Sequence, residues 1–419
     1  MSNRLPNLLL FLSLIYLFAT NCSERDRSNP FDPGSTISSP IELIINPHNN
    51  TTRLSWIVKN VTDFVGFRLY RALDNENYVL YKEFGLDISH FVDSSLVYYH
   101  WYHYRISIMG QSHETPPSNT VRMLCGPGDI WILTRYGYSI REMSYDLLHT
   151  KQLFSTIYPA ISWDWNRDES EIWMAHAQFR YISKFNLIIG AEDYFYQDGL
   201  QRPVDIKWDN QLNRINVLDP VSKRIIMVRE QTIEDTVTLE NDQFFKILIT
   251  PQSETITIDT HSVCIFNSMG NLDSRIYLQA GFEGGDIILD GSNVHILSVN
   301  YEQKKSRIGV YDLSSHNFSE VEISGKFNIF RKHSQKHYYW VSEILDNNSS
   351  RGVKLSSDGI RLLELASLSY FIDDLRINPY DESVILLQNY ANNIILYDST
   401  GTMLSSNNQI YDPVKIYIQ

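Results

Sequence analysis

The side chains best suited to chemistry in this sequence are a scatter of carboxylates and histidines. Asp164, Asp168, Glu171 and His176 fall close together, Asp373 and Asp374 are adjacent, and His333 and His337 lie four apart. Such groups act as general acid, general base or metal ligand only when several elements bring them to one mouth. Adjacent residues on a strand point to opposite faces, so Asp373 and Asp374 diverge and do not make a catalytic carboxylate pair. His333 and His337 flank a turn and could approach each other, yet no third ligand accompanies them. His100 and His103, three apart on a strand, point to opposite faces and read as surface or edge residues. Acids at turns ordinarily cap backbone N–H groups and face water. No Gly-x-Ser-x-Gly, P-loop or dinucleotide fingerprint occurs. The expectation is no catalytic residue, no metal site and no cofactor.

Three cysteines are present, Cys22, Cys125 and Cys264. They supply neither a disulfide framework nor zinc-ligand spacing. Cys125 and Cys264 could bridge in an oxidising compartment, and each also suits a buried single thiol. The net charge of −13 repels phosphate backbones, so nucleic acid is not an expected partner.

The elements that would position these groups come next. At 419 residues, 43% hydrophobic and 20% charged, the chain suits two or three globular domains. An aromatic content of 13%, with 26 Tyr, favours strands. The N-terminus differs from the rest. Arg4 precedes an apolar run from Leu8 to Phe18, too short for a spanning helix of ~20 residues but suited to a signal peptide. Ala19, Thr20 and Asn21 then lead to Cys22. This segment resembles the bacterial lipoprotein signal, with Ala19 where that family prefers Leu and Asn21 where it prefers Gly, Ala or Ser. The resemblance implies a signal peptide over 1–21, cleavage before Cys22 and membrane anchoring through lipid on the Cys22 thiol. Two or more acyl chains make such anchoring effectively permanent. Residues 22–37 read as a tether: the polar Ser23–Ser28, then Asn29-Pro30-Phe31-Asp32-Pro33, which resembles an element found after the lipidated cysteine in Gram-negative envelope lipoproteins. Its two prolines read as a stiff spacer. Ser23, which is not Asp, implies outer-membrane sorting by the same resemblance.

Residues 38–124 show short alternating strands separated by turns, the pattern of a β-sandwich. Leu54, Trp56 and Val58 alternate, as do Phe67 and Leu69, and Tyr102, Tyr104, Ile106 and Ile108. With the run Gly66–Arg71 and the exit Glu114–Val121, these resemble a fibronectin type III domain, in which Tyr102 would be the tyrosine-corner residue.

From 127 to 419 a pattern of apolar strand, polar turn and apolar strand repeats. Ile130, Ile172, Ile215, Ile256, Val294, Tyr338 and Val384 mark equivalent points, 38 to 46 residues apart. Four strands and their turns need that length, which is the size of a propeller blade. The fold class expected is therefore all-β, a sandwich followed by a β-propeller of seven blades, with six as the alternative. Residues 413–418 repeat the inner-strand pattern of 203–208, and no inner strand precedes Ile130, so the last strand should complete the first blade. The spacing resembles NHL and YVTN-type propellers of envelope proteins, without the Gly-His or Trp-Asp marks of WD40 repeats. The sialidase box is absent. Asn50, Asn60, Asn317 and Asn348 match the glycosylation pattern by turn composition. These features point to a lipid-anchored, non-enzymatic envelope module presenting its propeller to protein or glycan; the alternative is a propeller enzyme of lyase or glycosidase type.

Overall fold

The computed structural model describes residues 29–31, 38–48, 50–166, 168–196, 198–229 and 232–418. Cys22 and the signal segment lie outside them. No helix occurs among the described residues, so none there is long and apolar enough to cross a membrane. The chain divides into two compact units, Met1–Cys125 and Gly126–Gln419.

The first unit holds β1 (Ile41–His48), β2 (Thr51–Val58), β3 (Gly66–Leu73), β4 (Val79–Phe84), β5 (His90–Asp93), β6 (Trp101–Met109) and β7 (Val121–Leu124). They form a three-stranded sheet, β1-β2-β5, and a four-stranded sheet, β4-β3-β6-β7. The inward residues of both sheets, Leu43, Leu54, Trp56, Phe67, Leu69 and Tyr104 among them, share one core. Alternation along each strand puts these apolar side chains on one face and polar ones in water, and burial of that face stabilises the pair of sheets. Asp93 is fully buried here, and Tyr104 Oη, Tyr81 Oη, Arg71 Nη1 and the Ser95 hydroxyl and N–H all donate to it at 2.8–3.0 Å. The Val97 N–H donates to Tyr102 Oη at 2.8 Å, the tie to upstream backbone expected of a tyrosine corner. Phe31, read in the sequence as part of a stiff spacer, instead packs against this core. Its ring lies so close to Gly110 that a Cβ there would stand 2.7 Å from it.

The second unit contains β8 (Ile130–Thr134), β9 (Ser139–Met143), β10 (Thr150–Ser155), β11 (Ser162–Asn166), β12 (Glu171–His176), β13 (Tyr181–Asn186) and β14 (Ala191–Tyr196). It continues with β15 (Asp205–Asp209), β16 (Arg214–Asp219), β17 (Arg224–Arg229), β18 (Thr232–Thr238), β19 (Lys246–Ile249), β20 (Thr255–Ile258), β21 (Ser262–Phe266) and β22 (Leu272–Tyr277). The remainder are β23 (Glu283–Asp290), β24 (Asn293–Asn300), β25 (Lys305–Asp312), β26 (Phe318–Ser324), β27 (Lys326–Lys332), β28 (Tyr338–Ile344), β29 (Ser350–Ser356), β30 (Arg361–Glu364), β31 (Asp374–Ile377), β32 (Val384–Gln388), β33 (Asn393–Tyr397), β34 (Met403–Asn407) and β35 (Pro413–Ile418). Each run of four from β11 to β34 is one antiparallel sheet in sequence order, and β10-β9-β8-β35 is another. The final strand thus pairs with β8, Ile416 opposite Ile132 and Ile418 opposite Ile130.

The first strands of successive sheets adjoin, β11 to β15, β19, β23, β27, β31 and β35, and β35 adjoins β11. They form a closed inner ring. The repeat marked in the sequence falls on the second strands, which begin at or one residue before Ile130, Ile172, Ile215, Ile256, Val294, Tyr338 and Val384. These strands are covered on both faces, so β12 (EIWMAH), β16 (RINVLD) and β32 (VILLQ) are buried throughout. That is why β32, with its unbroken Val384–Leu387, stands out in the sequence. Side chains from neighbouring sheets interlock; Trp173, Val217, Ile206 and Ile226 share one such core, and Trp340, Leu375 and Leu386 another. The outermost strands are half exposed and carry charges, as in β26 (FSEVEIS), which blunts their free edges. Cys125 is buried in the first unit and Cys264 in the second, and they form no disulfide with each other.

Candidate functional site

The inner strands present an unpaired edge to the ring's interior, and backbone N–H groups on that edge need an acceptor. Aspartates supply it. Asp164 Oδ2 accepts the N–H of Trp208 at 2.8 Å, Asp205 that of Ile247 at 3.0 Å, Asp286 that of Phe330 at 3.3 Å, and Asp374 that of Ile416 at 3.0 Å. In each case the acid and the donor lie on neighbouring inner strands, 42 or 44 residues apart. Every such bond clasps one sheet to the next.

Cations from the same strands bind the clasps. Arg331 donates to Asp286 at 2.7 Å and to Asp374 at 2.9 Å, so it bridges two acids. Arg376 pairs with Asp374 at 3.0 Å and donates to the Ile416 carbonyl at 2.8 Å. Lys246 pairs with Asp286 and donates to the Ile287 carbonyl at 2.9 Å, Lys207 lies 3.6 Å from Asp164, and Lys332 pairs with Asp290. The two oxygens of Asp205 take the Ser162 hydroxyl at 2.5 Å and the Ile247 N–H. Together with Lys415, Leu248 and Ile288, these cations line a cavity of about 360 Å³.

Burial alone would raise the Asp374 pKa, but Arg376, Arg331 and Lys415, with the Ile416 N–H, hold it at about 2. The same balance, struck by Lys246 and Arg331, keeps Asp286 below the usual carboxylate range. Neighbouring acids raise Lys207 and Arg331 despite their burial, but for three other cations burial dominates. It pushes Lys246 down to about 8 against the pull of Asp286, Arg376 down to about 10 against Asp374, and Lys415 down as well. Asp374 and Asp286 are therefore ionised and engaged by several donors, a poor state for a general base or acid.

Of the residues singled out in the sequence, only Asp164 and Asp374 take part in these clasps, each in its own. Asp374 is buried on β31. Asp373 diverges from it as expected and accepts the Asn389 N–H at 2.7 Å, with burial raising its pKa. Asp168 is exposed in a turn, whereas Glu171 is buried on β12 against Lys184 at 2.8 Å. His176 is fully buried: its Nδ1 faces the Pro159 carbonyl at 3.0 Å, its Nε2 the Ser183 hydroxyl at 2.8 Å, and its ring stacks on Tyr181. His333 is buried, its Nδ1 accepting the Gln335 N–H at 3.1 Å, while His337 is exposed. Among the described residues no three His, Cys, Asp or Glu side chains are grouped to hold a metal. Lys207, Lys246, Asp286, Arg331, Arg376 and Lys415 escaped the sequence reading. For Lys207 and Arg376 the signal was the i, i+2 charge pair in Asp205/Lys207 and Asp374/Arg376 on inner strands.

A second feature lies in the loops. The turns from second to third strands and the connections entering the inner strands emerge at one end of the ring, because consecutive strands are antiparallel. Over three neighbouring sheets these loops expose aromatics: Tyr136, Tyr158, Phe179, Tyr370, Tyr411 and, at 83%, Tyr390. They are tied into one band. Asp412 accepts from Arg135 at 3.1 Å, from the Tyr136 N–H at 2.9 Å and from Asn389 at 2.6 Å. Gln178 donates to Tyr136 Oη at 3.3 Å, Tyr158 stacks on Phe179 at 4.3 Å, and Tyr370 lies 5.5 Å from Tyr390.

No family model and no curated protein matches the chain. Solved structures do. A candidate 6-phosphogluconolactonase of Bacteroides fragilis superposes with a TM-score of 0.54 at 10% identity, over 70% of this chain and 98% of its own. A functionally unknown protein of Desulfotomaculum acetoxidans gives 0.55 at 11% identity, over 70% and 99%. Hydrazine synthase of Kuenenia stuttgartiensis gives 0.52 at 9%, over 71% and 93%. At such identities the likeness is one of fold: an all-β architecture of four-stranded antiparallel sheets, of the β-propeller kind.

Proposed function

We propose that this chain is a lipid-anchored protein of the bacterial cell envelope, cleaved before Cys22 and held by acyl chains, with Ser23 directing it to the outer membrane. The sandwich is a fibronectin type III-like spacer. Its strand pairing, the buried Trp56 and the Tyr102 tie support that reading. The second unit is a seven-bladed propeller of the NHL/YVTN type whose first blade is completed by the last strand. The protein is a non-enzymatic module that binds protein or glycan.

One observation carries the binding role: the aromatic band across three adjacent blades. Contiguous exposed apolar surface on a soluble domain marks an interaction site, and exposed tyrosines offer large flat contact area at low entropic cost. The engagement of the inner-strand acids by cations and backbone N–H groups supports binding over catalysis. Affinity purification from solubilised membranes tests this. A partner or glycan should co-purify with the wild type and be lost with Tyr136→Ala combined with Tyr390→Ala, at unchanged melting temperature. Equal recovery with both proteins contradicts the assignment of the band.

A further inference from the structure

We propose that the cavity enclosed by the inner strands is a binding site for a small oxyanion, a phosphate or carboxylate group, held by Lys415 together with Lys207 and Arg376. The site is separate from the aromatic band and does not depend on it.

Six cations line the cavity, and five of them have a carboxylate partner: Lys207, Lys246, Arg331, Lys332 and Arg376. The sixth is Lys415, whose Nζ has no hydrogen-bond or ion-pair partner among the described residues. Asp205 is the acid that comes electrostatically nearest, but its oxygens are already engaged by Ser162 and Ile247, and it makes no ion pair with Lys415. Asp374 also faces Lys415, and it is held by Arg331 and Arg376. Lys207 and Arg376 add like charge.

A partly buried ammonium without a direct ion-pair partner is costly, and Asp205 and Asp374 offset that cost only at a distance. Two neighbouring cations sharpen the cost and the signal. Guanidinium and ammonium donors converging on one space are the arrangement that recognises phosphate or carboxylate. The protein as a whole is strongly acidic, at −13, so this positive potential is local to the cavity and not a general surface property. A volume of about 360 Å³ lies in the range of small-ligand pockets. Asp164 and Asp205 strengthen the hold of Lys207 on its proton despite its burial, whereas burial weakens that of Lys246, Arg376 and Lys415 against the pull of the neighbouring acids. An anion entering would reverse that effect.

The test uses the purified mature protein in calorimetric titrations with inorganic phosphate and, separately, with glucuronate. Saturable binding of either anion is expected, and which one binds distinguishes phosphate from carboxylate sources. Lys415→Met should weaken it by about tenfold or more, whereas Lys415→Arg should retain it. Phosphate should also raise the melting temperature of the wild type and of Lys415→Arg but not of Lys415→Met, a ligand-dependent shift that a merely structural lysine would not give. Lys207→Met gives an independent arm and should also weaken binding. Failure of both anions to bind saturably at millimolar concentration overturns the proposal, as does undiminished binding by Lys415→Met and Lys207→Met.

Discussion

Arg331 Nη2 lies 2.9 Å from Asp374 Oδ1, a bond that joins β27 to β31 while the other guanidinium nitrogen holds Asp286 on β23. One side chain thereby fastens three consecutive inner strands. Asp374 is only 2% exposed. Breaking a buried ion network by deleting one partner costs about 3–5 kcal/mol, because the remaining charges stay buried. Arg331→Met should lose stability in that range, measured by urea unfolding followed through Trp fluorescence. A loss under about 1 kcal/mol, typical of a surface pair, would show that the bridge is not a structural tie.

The same clasp sets an acid limit. Asp374 binds its proton more weakly in the fold, with a pKa of about 2, than its ordinary 3.8. Its contribution is therefore fully present above pH 3.8 and is lost as pH falls from there towards 2, in all roughly 2 kcal/mol. Stability measured from pH 5 to pH 2 should fall less steeply in Asp374→Asn than in wild type. Parallel curves would remove Asp374 from the acid response.

Closure of the ring rests on the C-terminal strand. β35 pairs with β8, and Asp412 just before it anchors Arg135, Tyr136 and Asn389. Deleting Asp412–Gln419 from the full chain would strip both and leave β8 as a bare edge, an invitation to association. The loss should amount to several kcal/mol, lowering the melting temperature by about 10 °C, with oligomers visible by light scattering. A truncated chain that melts like the intact one and stays monomeric would contradict closure.

The two parts of the second unit were unequally legible. Second strands such as Val384–Gln388 announce themselves, since cover on both faces demands unbroken apolar runs at a spacing near forty. The match of 413–418 to 203–208 also pointed correctly to the partner of Ile130. The central charges did not stand out. Lys246, Arg331 and Lys415 sit at alternating positions of half-buried strands, where a charge ordinarily means a solvent face. Only the ring turns those positions inward and brings residues some 42 apart together. Phe31 was hidden for a similar reason: a spacer between prolines gives no local sign that its ring packs on Gly110.

Metabolic labelling with palmitate followed by membrane fractionation tests the placement of the chain in the envelope most directly. The wild-type protein should carry the label and sediment with membranes, and Cys22→Ser should carry none and leave the membrane fraction. A Cys22→Ser protein that is still processed, labelled and membrane-bound would contradict it.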